Sequence, residues 1–396
     1  MRTIPLLLII LVAACGGSSK TSTLPNPAPA ITPADDLAAA KIHAPRVDPS
    51  SGGLTARDPR VVDLDIIRIR ASGGGVGGEP ELTSVASADL FRQANEAAKA
   101  GTTKDAIARY RQLIAEFPES IYAPVSLFNI AAVYDGQGDL SSTITTLREL
   151  VATYPTARES IDGHLYIAAL QADHKQWPEA VTTLDAALAR ANLTYADRIE
   201  AQARKGYVQL EQGQLDAADA TLAGAIADWR KAPRIEDPYY IAMAHYYRGE
   251  LMHRRFAAAP IRSGDDEMVA DLEAKRVLAT KAYDRWKESL GFKHAYWATA
   301  SGYQMSQIFV ELWEAHVNAP YPKRIELATR PTYVAEVHER VREHLEKALE
   351  GHRMNVELAK AFGVDTSWSK GSEQRAVQIM DLIAKESKGS YVTPAP

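Results

Sequence analysis

From Ala88 onward, apolar positions recur at the three-to-four-residue spacing of amphipathic helices, whereas the first 85 or so residues lack that pattern. The helical pattern itself repeats. Ala106, Thr143 and Ala180 stand 37 residues apart, and Ala217 or Ala218 follows at 37 or 38. Gly101 and Gly138 keep the same interval, as do Pro118 and Pro155. The phrases around them match: residues 101–118 align with 138–155, and then with the segments beginning at Trp177 and Gly213. Such a period predicts stacked helix pairs, each burying its apolar face on its neighbours. Ala131, Ala168 and Gly206 lie where the first helix of a pair (helix A) approaches its partner, and Ala106 and Ala180 do the same on helix B. Gly101, Gly138 and Gly213 are placed to end helix A in a left-handed cap, and Pro118 and Pro155 to stop helix B. Tyr110, Tyr134, Leu147, Leu184 and Leu222 supply bulk between them. Lys175 stands where the third unit would carry its turn glycine, and Thr143 replaces the small alanine of the second.

After Trp229 the predicted helices lengthen and turn aromatic. One carries Tyr239, Tyr240, Tyr246 and Tyr247 and ends near Phe256. A long one holds Tyr283 and Trp286, and a third runs from Trp297 through Gly302, Met305, Phe309 and Leu312 to Trp313. Val334, Val337, Val341, Leu345, Leu349, Leu358 and Phe362 stripe another, and Ile379 and Ile383 mark a short last one. Aromatic stripes at this spacing predict core rather than a ligand cage. Asn318-Ala-Pro-Tyr-Pro322 reads as a rigid contact loop between two helices.

The repeats resemble the tetratricopeptide repeat, a helix pair of about 34 residues. The resemblance implies an all-α solenoid with about four repeats over 88–230, continued by residues 231–388, and a concave face that binds proteins or peptides. The periodic residues named above are core, so any binding residues would be the non-periodic ones of helix A. The C-terminal phrases GYQMSQIFVELWEAHVNAPYP and NVELAKAFGVDTSW (the latter 355–368) resemble those of envelope repeat lipoproteins of gliding and predatory bacteria. The repeats alone also resemble lipoproteins of outer-membrane barrel assembly and cell-division coordination. These likenesses imply partners among envelope proteins, including motility machinery.

The N-terminal part points to the same compartment. Arg2 precedes an apolar run, 4–12, too short to span a bilayer core of ~30 Å as a helix. Val12-Ala13-Ala14-Cys15 resembles the lipobox of bacterial lipoproteins, and Cys15 is the single cysteine of the 396-residue chain. The resemblance implies a signal peptide over 1–14, acylation of Cys15, and a lipid anchor of two or three chains, firmer than the marginal hold of one. Gly16, where an aspartate would favour the inner membrane, implies the outer one. Residues 15–87 read as a Gly-, Ser-, Thr-, Pro- and Ala-rich tether whose coil would reach roughly 45 Å. It contains a near-alternating strand pattern near 61–70, taken to pack on the downstream domain, and a glycine-rich joint at 73–78.

Net charge is −5, or −6 without Arg2, which argues against a nucleic-acid footprint. No His-Glu-x-x-His, no Gly-x-Ser-x-Gly and no Lys-Ser/Thr after the glycine-rich stretch occurs, and ten scattered histidines offer no metal spacing. Asp265-Asp266-Glu267 reads as a solvated helix start. The expectation is therefore a non-enzymatic scaffold with no cofactor and no metal. The alternative is a cell-wall-associated enzyme or binding protein with the C-terminal helical region as its active part. It would require a pocket gathering two carboxylates, or a histidine and a carboxylate.

Overall fold

A computed structural model describes residues 67–72 and 81–394. Among them, thirteen α-helices follow a two-stranded hairpin. Four pairs fill the region of the 37-residue period: α1 (Ser87–Lys99) with α2 (Thr103–Glu116), α3 (Tyr122–Gly136) with α4 (Leu140–Thr153), α5 (Arg158–Asp173) with α6 (Trp177–Leu188), and α7 (Tyr195–Glu211) with α8 (Leu215–Lys231). Then come α9 (Tyr239–Ala258), α10 (Asp265–Gly291), α11 (Ala295–Val317), α12 (Arg330–Phe362) and α13 (Ser367–Glu386).

Each of the first four pairs closes in the same way. The residue after helix A is left-handed at Gly101, Gly138, Lys175 and Gly213, with φ of 76°, 75°, 57° and 76°. The next amide then reaches back five residues: Thr102 to the Ala97 carbonyl, Asp139 to Tyr134, Gln176 to Gln171 and Gln214 to Gln209, at 2.8 to 3.0 Å. This is the Schellman arrangement, and it explains why glycine recurs there. Lys175 adopts it with a Cβ, at a cost of roughly 1–2 kcal/mol. Thr143 fits the alanine position because its hydroxyl donates to the Asp139 carbonyl at 2.7 Å. Ala106, Ala131, Thr143, Ala180 and Ala218 are all fully buried. Where helix A carries Gly206, an added Cβ would stand 2.4 Å from Leu222 Cγ of helix B.

The stack does not end at α8. Helix α9 packs on both α7 and α8, and each later helix packs on the one before it. Gly249 of α9 meets the Trp286 indole of α10 as Gly206 meets Leu222, with a Cβ position 2.4 Å from the ring. Helix α5 contributes to both the first and the middle apolar cluster, and α11 to both the middle and the last, so the core runs on without a seam. The aromatic stripes are core in large part, whereas Tyr240, Tyr283 and Phe309 are only half-buried. Tyr207 meets Tyr247, Tyr246 and Tyr247 meet Trp297, and Tyr303 meets Trp368, with ring centres 4.8 to 5.7 Å apart. Trp286, Trp297, Trp313 and Trp368 are all fully buried.

Two expectations need correction. The strand pattern near 61–70 appears as β1 (Ile67–Ser72), which pairs antiparallel with β2 (Glu81–Ala86), a segment placed in the tether on composition. The Arg68 guanidinium lies 5.5 Å from the Phe117 ring centre and Val85 packs on the first cluster, so the hairpin rests on the array. The last helix is not short: α13 spans 20 residues because polar Ser369, Ser372 and Arg375 are buried on it alongside Ile379. The signal peptide, Cys15 and the glycine-rich joint lie outside the described residues.

Within the C-terminal helices His352 is fully buried, its Nδ1 3.2 Å from the Ser372 hydroxyl. Burial, and secondarily Arg375, bring its pKa down to about 3.

Two measurements follow from this packing. Gly249→Ala and Ala180→Trp each overpack a closed helix pair and lower stability by about 1–3 kcal/mol or more, read by chemical denaturation. For Ala180→Trp, hydrogen exchange should quicken across 160–220, and unchanged protection there would refute the pairing described. Below its ordinary pKa near 6.5, His352 takes up a proton only on unfolding, so stability falls as pH drops towards 3. His352→Gln should remove about 2 kcal/mol of the stability lost between pH 7 and 5. An unaltered pH profile would contradict the buried neutral imidazole.

Candidate functional site

Two surfaces are available for recognition, one on the repeats and one on the C-terminal helices. On the repeats, the half-buried side chains of the A helices are polar and aromatic and are tied to one another. The Tyr166 hydroxyl of α5 donates to Asp135 of α3 at 2.6 Å, and the Tyr166 and Phe128 rings lie 6.0 Å apart. Burial, and then Asp135, raise the Tyr166 pKa, so the phenol remains a donor. On α7, Arg204 pairs with Glu200 at 2.9 Å and donates to the Tyr240 hydroxyl of α9 at 2.7 Å. Behind this row, Gln171 accepts from Thr183 and Gln209 from Thr221, both at 2.7 Å, so adjacent units repeat the same link from helix A to helix B.

The second surface is a groove of about 510 Å³ where α10, α11 and α12 meet. Tyr283 and Leu290 come from α10, Met305 and Phe309 from α11, and Met354 and Leu358 from α12. It exists because α11 and α12 cross at two residues that lack side chains. A Cβ on Gly302 would stand 2.2 Å from Asn355 Oδ1, and one on Gly351 would stand 2.4 Å from Ser306 Oγ. Asn355 in turn donates to the Thr299 carbonyl at 2.9 Å, locking the crossing. The periodic pattern showed Met305 and Phe309 as helical positions but not this groove. Gly302 and Gly351, glycines inside otherwise regular helices, are the signal that could have located it. A second hollow of about 560 Å³ continues it along α12, past Leu349, Met354 and Leu358 to Ala361.

The loop 318–322, read from the sequence as a rigid contact loop, is tied to its neighbours. Asn318 donates to the Glu314 carbonyl at 2.9 Å, the Lys323 amide to Asp265 at 2.8 Å, and the Arg330 guanidinium sits 4.3 Å from the Tyr321 ring centre. Asp265, Asp266 and Glu267 form the first turn of α10.

Histidines do meet carboxylates. His253 Nε2 stands 2.5 Å from Glu311, His245 Nδ1 2.8 Å from Glu288, and His338 Nδ1 2.5 Å from Glu386. At His253 burial opposes the charged ring, but Glu311 and Glu250 overcome it and raise its pKa well above the ordinary value. Burial likewise pushes Glu311 up, yet His253, Gln307 and Arg375 hold it below the usual carboxylate range. At His245 burial prevails over Glu288 and lowers the pKa. His338 and Glu386 are almost wholly enclosed, and the His338 Nε2 meets the Val392 carbonyl at 2.7 Å. None of these pairs lines the groove, whose titratable groups are Lys347, Glu350 and the Tyr283 phenol. The groove itself thus gathers one carboxylate and no histidine, and the hollow that continues it along α12 adds Glu346 and Glu357. Among the described residues no group of three His, Cys, Asp or Glu side chains is placed to hold a metal ion. No described helix is long and apolar enough to cross a membrane.

No protein of curated function matches the sequence. Similar solved structures include the C-terminal part of a TPR repeat-containing protein from Cytophaga hutchinsonii, 14% identical over 76% of this chain and 98% of that one, with a TM-score of 0.41. MamA from Desulfovibrio magneticus RS-1 is 15% identical over 51% and 96%, with a TM-score of 0.34. A tetratricopeptide repeat protein from Parabacteroides merdae is 11% identical over 72% and 98%, also at 0.34. The tetratricopeptide repeat-like domain family matches residues 81–235, the hairpin strand β2 and the four regular helix pairs. Residues 81–235 thus match the tetratricopeptide repeat-like family, and the helices that follow pack on in the same stack.

Proposed function

We propose that this protein is a lipid-anchored scaffold of the bacterial cell envelope, held to the outer membrane through acylated Cys15 and gathering envelope proteins on its helical array. The observation that carries the scaffold reading is the unbroken stack from α1 to α13, which offers the A helices of successive pairs as one extended surface. Helical-repeat proteins use such surfaces for protein partners, and the row of polar and aromatic side chains from Asp135 to Tyr240 supplies the hydrogen-bonding groups a peptide needs. Support for the anchor comes from the Val-Ala-Ala-Cys phrase after a short apolar run. Barrel assembly, cell division and motility complexes are the pathways such a protein would serve.

Growth with a palmitate analogue should label the wild-type protein and leave Cys15→Ala unlabelled. A wild-type chain that stays unlabelled and soluble would defeat the anchor. Crosslinking in intact cells followed by mass spectrometry should recover a small set of envelope proteins, and recovery that merely tracks abundance would defeat the scaffold.

A further inference from the structure

We infer that the groove along α12 receives a basic amphipathic helix from a partner protein, seated with a lysine or arginine opposite Glu350. The two hollows share Glu350, Met354 and Leu358, so they form one trough rather than two pockets. Its α12 wall runs from Glu346 to Ala361, about 22 Å at the rise of a helix, which is the length of roughly four helical turns. A small molecule is enclosed by its pocket, whereas here Met354 at the centre is 62% exposed. An open, elongated, apolar trough is the shape that takes the apolar face of a helix. Met305 and Met354, unbranched and polarisable, adapt to such a face. Where α13 comes alongside, Met380 lies 3.0 Å by its sulfur from Arg353 and is itself 39% exposed, which widens the apolar rim.

The charges along the rim select the sign of the partner. Glu346 faces Arg342 at 3.9 Å, Lys347 pairs with Glu343, and Glu357 pairs with Lys360 at 2.8 Å. Arg353, which among the described residues also lacks a carboxylate partner, is directed at the Met380 sulfur, and with Glu346, Glu350 and Glu357 against Lys347 and Arg353 the lining carries a net charge of −1. Among the described residues, Glu350 alone of the rim carboxylates has no ion-pair partner, and it stands at the junction of the two hollows. An uncompensated carboxylate beside apolar surface favours a cation arriving with the apolar face, since desolvation by the partner strengthens that pairing. This groove lies outside residues 81–235.

The test is fluorescence anisotropy of the full chain with two labelled helical peptides about 16 residues long, one of leucine and lysine and one of leucine and glutamate. The leucine–lysine peptide should bind, and Glu350→Lys and Met354→Glu should each weaken it by about tenfold or more. Glu350→Lys should strengthen the leucine–glutamate peptide by a similar factor. Glu350 and Met354 are exposed, and circular dichroism of both variants should match wild type. Equal binding of the two peptides, or binding indifferent to both substitutions, would overturn the proposal. So would displacement of the bound peptide by palmitate at stoichiometric concentration, which would make the trough an acyl-chain site. A dimer in sedimentation that Met354→Glu dissolves would assign it to a second copy instead.

Discussion

The whole molecule depends on how closely two helices of a pair can approach. Backbone contact requires a residue with little or no side chain at the crossing, and the chain supplies one each time: Ala94, Ala131, Ala168, Gly206, Gly249 and Gly302 on the first helices. What fills the facing position then sets the character of the unit. Leu222 seats against Gly206, and the Trp286 indole seats against Gly249. A tryptophan in place of a leucine enlarges the core at that crossing, where α9 and α10 run to 20 and 27 residues against 17 each for α7 and α8. The change from short regular pairs to long aromatic ones is therefore a change of core volume with the stacking rule unaltered.

Much of this was legible in the sequence because sterics leave few choices. A left-handed turn residue and a helix crossing both exclude most side chains, so Gly101, Gly138, Gly213 and the buried alanines recur at a visible interval. The exceptions were readable as departures, and the structure shows how each is accommodated: Thr143 satisfies its hydroxyl on its own helix, and Lys175 accepts the left-handed backbone. Strand β2 was not legible, because Glu-Leu-Thr-Ser-Val-Ala lacks clear alternation and its pairing is set by β1. Helix α13 was underestimated because Arg375 lies inside, donating to Gln307 at 2.8 Å, where hydrophobic patterning looks for apolar residues. The groove could not be read at all from one helix, since three helices with unrelated spacing build it.

Charge inside the C-terminal stack serves position more than strength. His253, Glu311, Gln307 and Arg375 link α9, α11 and α13 in a chain of contacts that only one relative placement of those helices satisfies. Desolvation offsets most of the attraction of a pair buried this deeply, so its net contribution to stability is small. Deleting one member would nonetheless leave the others stranded without water.

The hairpin has a mechanical consequence. Its register pairs Ile67, where the chain enters, with Ala86, immediately before α1. Entry and exit therefore lie at the same end. A pull arriving through the preceding chain would load the ladder one rung at a time, as a zipper is opened, instead of shearing all rungs together. Opening it pays out 67–86 as slack, about 65–70 Å of extended chain, before any force reaches the helices. Under such a pull the two strands would act as a weak extension ahead of the helical array.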